Sequence, residues 1–189
     1  VYKRQVEHLI SYLIQSHALT EEDLRTFRPS ICNRLDRNTS GIVAAGKSMA
    51  GLQSLSQMFH DRTIGKYYLC LTAGIIEKPS RVEGWLFKDE RTNKVEILFQ
   101  ERPGSARIIT EYRPIKSHDG VTLLEVHLIT GKTHQIRAHL ASVGHPLIGD
   151  HKYGASQINR EYEQKYHLQS QLLHACLLYT SPSPRDQRG

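Results

Sequence analysis

Asp36 stands between Arg34 and Arg37 in "NRLDRNTSG", residues 33–41. A carboxylate flanked by two guanidiniums could be no more than a solvated charge cluster, since exposed ion pairs are common and weak. It could also be a carboxylate held ready for nucleophilic work, which must stay ionised at neutral pH although partly desolvated. Burial drives a carboxyl toward its neutral form, and a close arginine opposes that drift. The turn formers that follow at once are explained only by the second possibility or by a loop of special shape.

A second dense stretch is "TGKTHQIRAHLASVGHPLIGDHKYG", residues 130–154. His134, His139, His145 and His151, with Asp150 beside the last, raise a metal reading. His134 and His139 are five positions apart, about 140° round a helix, so they do not share a face as ligands at i and i+4 do. No metal is expected, and the histidines are read as polar or turn-packing groups. GxSxG, GxGxxG and HExxH are all missing from the sequence, which leaves the common hydrolase and dinucleotide patterns without support. The same stretch predicts a short helix on which Ile136, Leu140 and Val143 recur at four and three, stopped by Gly144 and Pro146. Arg137 then falls about 100° from Ile136, at the border of the buried stripe, where it can reach inward or snorkel outward.

The elements that must carry these residues are legible in the patterning. "SMAGLQSLSQMFHDR" (48–62) opens on an N-cap serine, Ser48, and repeats Leu52, Leu55, Met58 and Phe59 at threes and fours, as an amphipathic helix does. Residues 65–75, 81–87, 94–100, 106–115 and 121–130 are short, rich in β-branched and aromatic residues and bounded by turn formers, as strands are. In the last of them Leu124, Val126 and Leu128 share one face and Glu125 and His127 the other. Strands joined only by turns pair antiparallel, so the expected fold is α+β, a mixed, largely antiparallel sheet with flanking helices.

A length of 189 residues suits one domain with a genuine core. With 39% hydrophobic and 23% charged residues, and no apolar run near the roughly 18 residues of a membrane span, a soluble globular protein is expected. Cys32, Cys70 and Cys176 are few, odd in number and far apart, which argues against a disulfide framework or zinc site and for a reducing, cytoplasmic setting. Residues 1–5 and 179–189 lack periodicity and are read as non-native ends, leaving 6–178 as the domain. Those ends hold Lys3, Arg4, Arg185 and Arg188 against Asp186, so the formal charge of +6 falls to +3 without them. A mildly basic balance suits a polyanionic partner.

Taken together the dense stretches resemble the RluA family of pseudouridine synthases. "NRLDRNTSGIVAAGKS" is similar to its RLD loop, "TGKTHQIRAHLASVGHPLIGDHKYG" to its HQIR and GDxxYG segment, "GKYYLCLTAG" to its Lys-x-Tyr strand, and "LLHACLL" (172–178) to its LHA strand. Four motifs in order are far more specific than any one. The resemblance implies a pseudouridine synthase catalytic domain that isomerises uridine in RNA by base flipping, without cofactor. It gives Asp36 as the essential aspartate, Arg137 as the arginine paired with it, and Tyr68 as the tyrosine that stacks on the base and takes the C5 proton. It implies that Arg34 fills the gap left by the flipped nucleotide, and that Arg37, Lys66, Lys132, His134 and Gln135 contact RNA. Large-subunit ribosomal RNA is the expected partner, with transfer RNA as the alternative, no membrane partner and a monomeric state. A catalytically silent RNA-binding module and a histidine-based metal hydrolase are the competing readings. Two departures stand out: Asn33 replaces the family's usual His, and Asn38 stands where an acid is common. The family's earlier Lys-Pro strand is not recognisable in residues 1–32, so the chain is expected to be a fragment of the catalytic domain.

Overall fold

A computed structural model describes residues 2–180, with side chains from 5 to 176. Its contacts divide the chain into two compact units, residues up to 37 with 42–64, and residues 38–41 with 65–179. The first unit holds helices α1 (Tyr2–Gln15) and α2 (Asp23–Thr26) and a two-residue strand, β1 (Ser30–Ile31). A second two-residue strand, β2 (Ser40–Gly41), belongs to the second unit. The first unit continues with β3 (Ala45–Gly46), antiparallel to β1, and α3 (Met49–His60). Ser48 caps α3 as its sequence implies, its hydroxyl accepting from the Gly51 N–H at 3.1 Å.

The second unit is built on β4 (Ile64–Ala73), β5 (Ser80–Asp89), β6 (Lys94–Leu98), β7 (Ser105–His118) and β8 (Val121–Leu128). Helices α4 (Gln135–Ser142) and α5 (Ser156–Tyr166) follow, then β9 (Leu173–Thr180). The seven-stranded sheet runs β2-β9-β4-β8-β7-β5-β6. Its β4–β8, β8–β7, β7–β5 and β5–β6 pairs are antiparallel and β2–β9 is parallel, which is the mixed, largely antiparallel sheet expected. Burial alternates along β8, with Leu124, Val126 and Leu128 inside. The core under α4 is made of Leu86, Val95, Ile108 and Ala138, with Ile97 and Tyr153 against it.

Helix α4 departs from the amphipathic reading. All six residues from Gln135 to Leu140 are buried, so Arg137 lies inside and not at the border of a stripe. A helix wrapped on every side must satisfy its polar side chains internally, and those bonds make up much of the site. Helices α1 and α5 have no counterpart in the sequence reading. Among the described residues, no helix is long and apolar enough to cross a membrane.

Candidate active site

The loop that carries Asp36 is fastened at both ends. Asn33, the residue that departs from the usual His, accepts the Ala44 N–H at 2.7 Å through Oδ1 and donates to the Ile42 carbonyl at 3.2 Å. An amide can make both bonds at once. Beyond Asp36, which is half-buried in irregular backbone, the chain turns at Asn38 with φ +66°, a left-handed conformation that asparagine tolerates. Arg34 and Arg37 on either side are exposed.

The far end of the loop is built into the sheet. Ser40 and Gly41 pair with His174 and Ala175 of β9, which joins the NTSG and LHA motifs. Ser40 Oγ lies 2.8 Å from His174 Nδ1, and Gln171 Nε2 donates to Thr39 Oγ1 at 3.4 Å. Gly41 has φ +116°, and any Cβ there would overlap the Ala175 carbonyl. Only glycine fits.

Tyr68 lies on β4 opposite Val126, and Val126 lies opposite Tyr112 of β7. Opposed residues share a face, and on that face Thr110 of β7 meets α4 through His139. Tyr68, 9% exposed, therefore looks toward the side of the sheet that α4 covers. Tyr67 looks the other way and stacks on His127, with ring centroids 4.4 Å apart and planes within 6°.

Arg137 is 7% exposed and is gripped by Asp150, which is fully buried. Its Nε donates to Asp150 Oδ2 at 2.7 Å and its Nη2 to Oδ1 at 2.9 Å, a bidentate pair. Asp150 Oδ1 also accepts the N–H groups of Lys152 and Tyr153 at 2.9 and 3.1 Å. Burial pushes this carboxyl up, and Arg137 with the two amides outweighs burial, holding it below the usual carboxylate range. The Tyr153 ring lies under the guanidinium at 5.3 Å, and the Tyr153 hydroxyl meets His134 Nδ1 at 2.9 Å and accepts the Val95 N–H at 3.1 Å.

The loop before α4 gathers the remaining residues of the second unit. His134 precedes α4 in a left-handed conformation, φ +53°, and is half-buried. Lys132 is exposed, and the Lys66 ammonium lies where a side chain on Gly131 would crowd it. Gln135, expected to contact RNA, is turned inward. It is 2% exposed, its Oε1 accepts from Thr130 Oγ1 and the Lys132 N–H, and its Nε2 donates to the Ile109 carbonyl and Thr110 Oγ1. With its bonding capacity met internally, it shapes the loop.

Asp150 grips Arg137, and Asn159 bonds the backbone on either side of it, two contacts that the sequence reading does not foresee. The GDxxYG spacing was the available signal for Asp150; nothing in the polar run of α5 marks Asn159. The pattern Gly41-Ile-Val-Ala-Ala-Gly46-Lys47-Ser48 also matches the spacing of a phosphate-binding P-loop. Its residues form strand pairs at 40–41 and 45–46, and the Ser48 hydroxyl caps α3, so no phosphate-wrapping loop is present. A cavity of about 450 Å³ lies around Tyr67 and His127, on the other side of the sheet from Tyr68, and includes Arg81, Glu111, Arg113 and Glu125. These charges pair with one another, Arg81 with Glu111 and Arg113 with Glu125, both at 2.7 Å. No group of three or more His, Cys, Asp or Glu among the described residues is placed to hold a metal ion.

Comparison with known proteins connects these features. A sequence model of the family described as RNA pseudouridylate synthase matches residues 8–142. The chain is 33% identical to the ribosomal large subunit pseudouridine synthase D of Nitrosomonas europaea, over 84% of this chain and 49% of that protein. It is 32% identical to the ribosomal large subunit pseudouridine synthase C of Vibrio vulnificus, over 86% of this chain and 52% of that protein. The chain thus spans about half the length of these relatives. Among solved structures it is similar to human RNA pseudouridylate synthase domain containing 1, with a TM-score of 0.67 and 25% identity, covering 82% of this chain and 64% of that one. With the family match running through the Asp36 loop, Tyr68 and Arg137, the chain belongs to the RNA pseudouridylate synthases of the RluA type.

Proposed function

We propose that this chain isomerises uridine to pseudouridine in structured RNA, with large-subunit ribosomal RNA as its target. The observation that carries the reading is the family match over residues 8–142, which contains Asp36, Tyr68 and Arg137. The names of the relatives support the ribosomal target.

Asp36 attacks the ribose or otherwise promotes cleavage of the C1′–N1 bond. The freed uracil turns and rejoins through C5, the C5 proton leaves, and N1 takes up a proton. The product is an isomer of the substrate, so atoms and electrons balance without a cofactor. Arg137 keeps the Asp36 carboxylate ionised and oriented. Tyr68, in the inward-facing position on β4, stacks on the base and accepts the C5 proton. Because the glycosidic bond lies within stacked RNA, the nucleotide must be flipped out, and Arg34 fills the space it leaves. Arg37, Lys66 and Lys132 bind the backbone, and His134, held by Tyr153, lines the loop beside them.

The test uses RNA carrying tritium at uridine C5. The chain should release label, and Asp36→Asn should abolish release while RNA binding stays near normal. Turnover retained by that variant would refute the role of Asp36, and binding without release by the unaltered chain would leave an RNA-binding module in its place.

A further inference from the structure

We propose that Asn33 is a positioning residue for the reaction, its side-chain amide closing the neck of the loop that carries Asp36. This rests on the role given to Asp36 above. Asn33, Asp36 and the backbone that Asn33 binds all belong to the first unit.

The neck continues a ladder. Strands β1 and β3 pair Ser30 with Gly46 and Ile31 with Ala45, and the Cys32 N–H donates to the Ala44 carbonyl at 2.8 Å. At the next residue a side chain takes over. Asn33 Oδ1 accepts the Ala44 N–H at 2.7 Å, and Nδ2 donates to the Ile42 carbonyl at 3.2 Å. These two backbone groups flank Val43, and such an N–H and C=O are ordinarily satisfied by the main chain of a facing strand. One amide satisfies both, so the chain can leave the ladder at Arg34 without orphaning either group.

Residues 34–41 are thereby closed into a loop between Asn33 on one side and Ile42 and Ala44 on the other, with Asp36 only three positions beyond the neck. Bonds at the neck remove conformational freedom from the backbone that leads to the carboxylate. That freedom matters, because a misplacement of about 1 Å at a reacting centre can cost about 100-fold in rate. The task calls for a donor and an acceptor side by side on a short stem. An amide has both, and an ionised carboxylate has acceptors only.

Asn33→Leu tests this in the full chain, since it keeps the branched shape and removes both bonds. Single-turnover release of label from RNA tritiated at uridine C5 should slow by about 100-fold, with RNA affinity within about threefold. An unchanged rate would overturn the proposal. A fall in affinity as large as the fall in rate would make Asn33 an RNA contact and overturn it too. Asn33→His restores one donor and one acceptor on its neutral ring, and should keep a rate at least about tenfold above that of N33L. A rate as low as that of N33L would assign the loss to shape and not to hydrogen bonding, against the proposal. If N33L does not fold, N33D asks the same question, because it keeps the Ala44 bond and sets its second oxygen against the Ile42 carbonyl: a slower reaction at unchanged affinity supports the neck, and an unchanged rate overturns it. An unaltered chain that makes no pseudouridine would refute the proposed function. Hydrogen exchange at the Ala44 amide would then decide the neck, with a speeding of about fivefold expected on loss of the Asn33 bond and unchanged exchange overturning it.

Discussion

His139 should make the fold sensitive to mild acid, through a window that one substitution can remove. Its side chain is 1% exposed, and its Nδ1 meets Thr110 Oγ1 at 2.9 Å. Nε2 is buried without a hydrogen-bond partner among the described residues, near Gly84. Burial lowers its pKa from 6.5 to about 4, so the folded protein holds it neutral while the unfolded chain protonates it at its ordinary value. Between those values the unfolded state binds more protons, so stability falls as pH falls. The gap corresponds to about 3 kcal/mol lost on going from pH 6.5 to pH 4. His139→Asn keeps an acceptor toward Thr110 and cannot take up that proton. It should be less stable at pH 7 by about 1–3 kcal/mol because ring volume is lost, yet lose correspondingly less on acidification. Urea unfolding at several pH values from 7 to 4 measures the difference. Parallel declines in the two proteins would refute the reasoning. Below that window both should weaken together as Asp150, whose carboxyl is held below its usual range, begins to protonate.

Gly41→Ala should disrupt the β2–β9 pairing, because its Cβ would overlap the Ala175 carbonyl and its φ of +116° strains any side chain. A loss of more than about 1 kcal/mol is expected, read by thermal melting, and an unchanged midpoint would contradict the close approach. Lys132→Ala should weaken RNA binding evenly across sequences and lower the slope of log affinity against log salt by about 0.7–1, the signature of one lost phosphate contact. An unchanged slope would remove Lys132 from the backbone-binding set.

The sheet was legible because it obeys a local rule. Strand β8, and β4 and β7 over part of their length, alternate buried and more open residues along runs bounded by turn formers, and α3 starts at a serine that caps it, so a window of a few residues carries the information. Helix α4 shows where that rule stops. Gln135, Arg137 and His139 are polar by type, yet all are buried because their partners come from β7 and from the turn at 150. A periodicity argument assigns polar residues to water and cannot foresee partners supplied by other elements. Helix α5 fails for the opposite reason. Asn159 is its one buried residue, so it has no apolar stripe to detect.

The same distinction explains why "NRLDRNTSG" could be recognised as a motif without its shape being derivable. Asn33 ties the start of the loop to Ile42 and Ala44, a short way along the chain, and this much is local. Thr39, Ser40 and Gly41 tie its end to Gln171, His174 and Ala175, more than 130 positions away. Asp36 lies between the two anchors. Each anchor removes conformational freedom from the backbone that it ties. The glycine of NTSG and the LHA strand are therefore requirements on each other: Gly41 lets the strand approach, and β9 gives the loop a fixed end. The charges around Asp36 mark the loop in the sequence, but the uncharged residues on either side of them make the hydrogen bonds at its two ends.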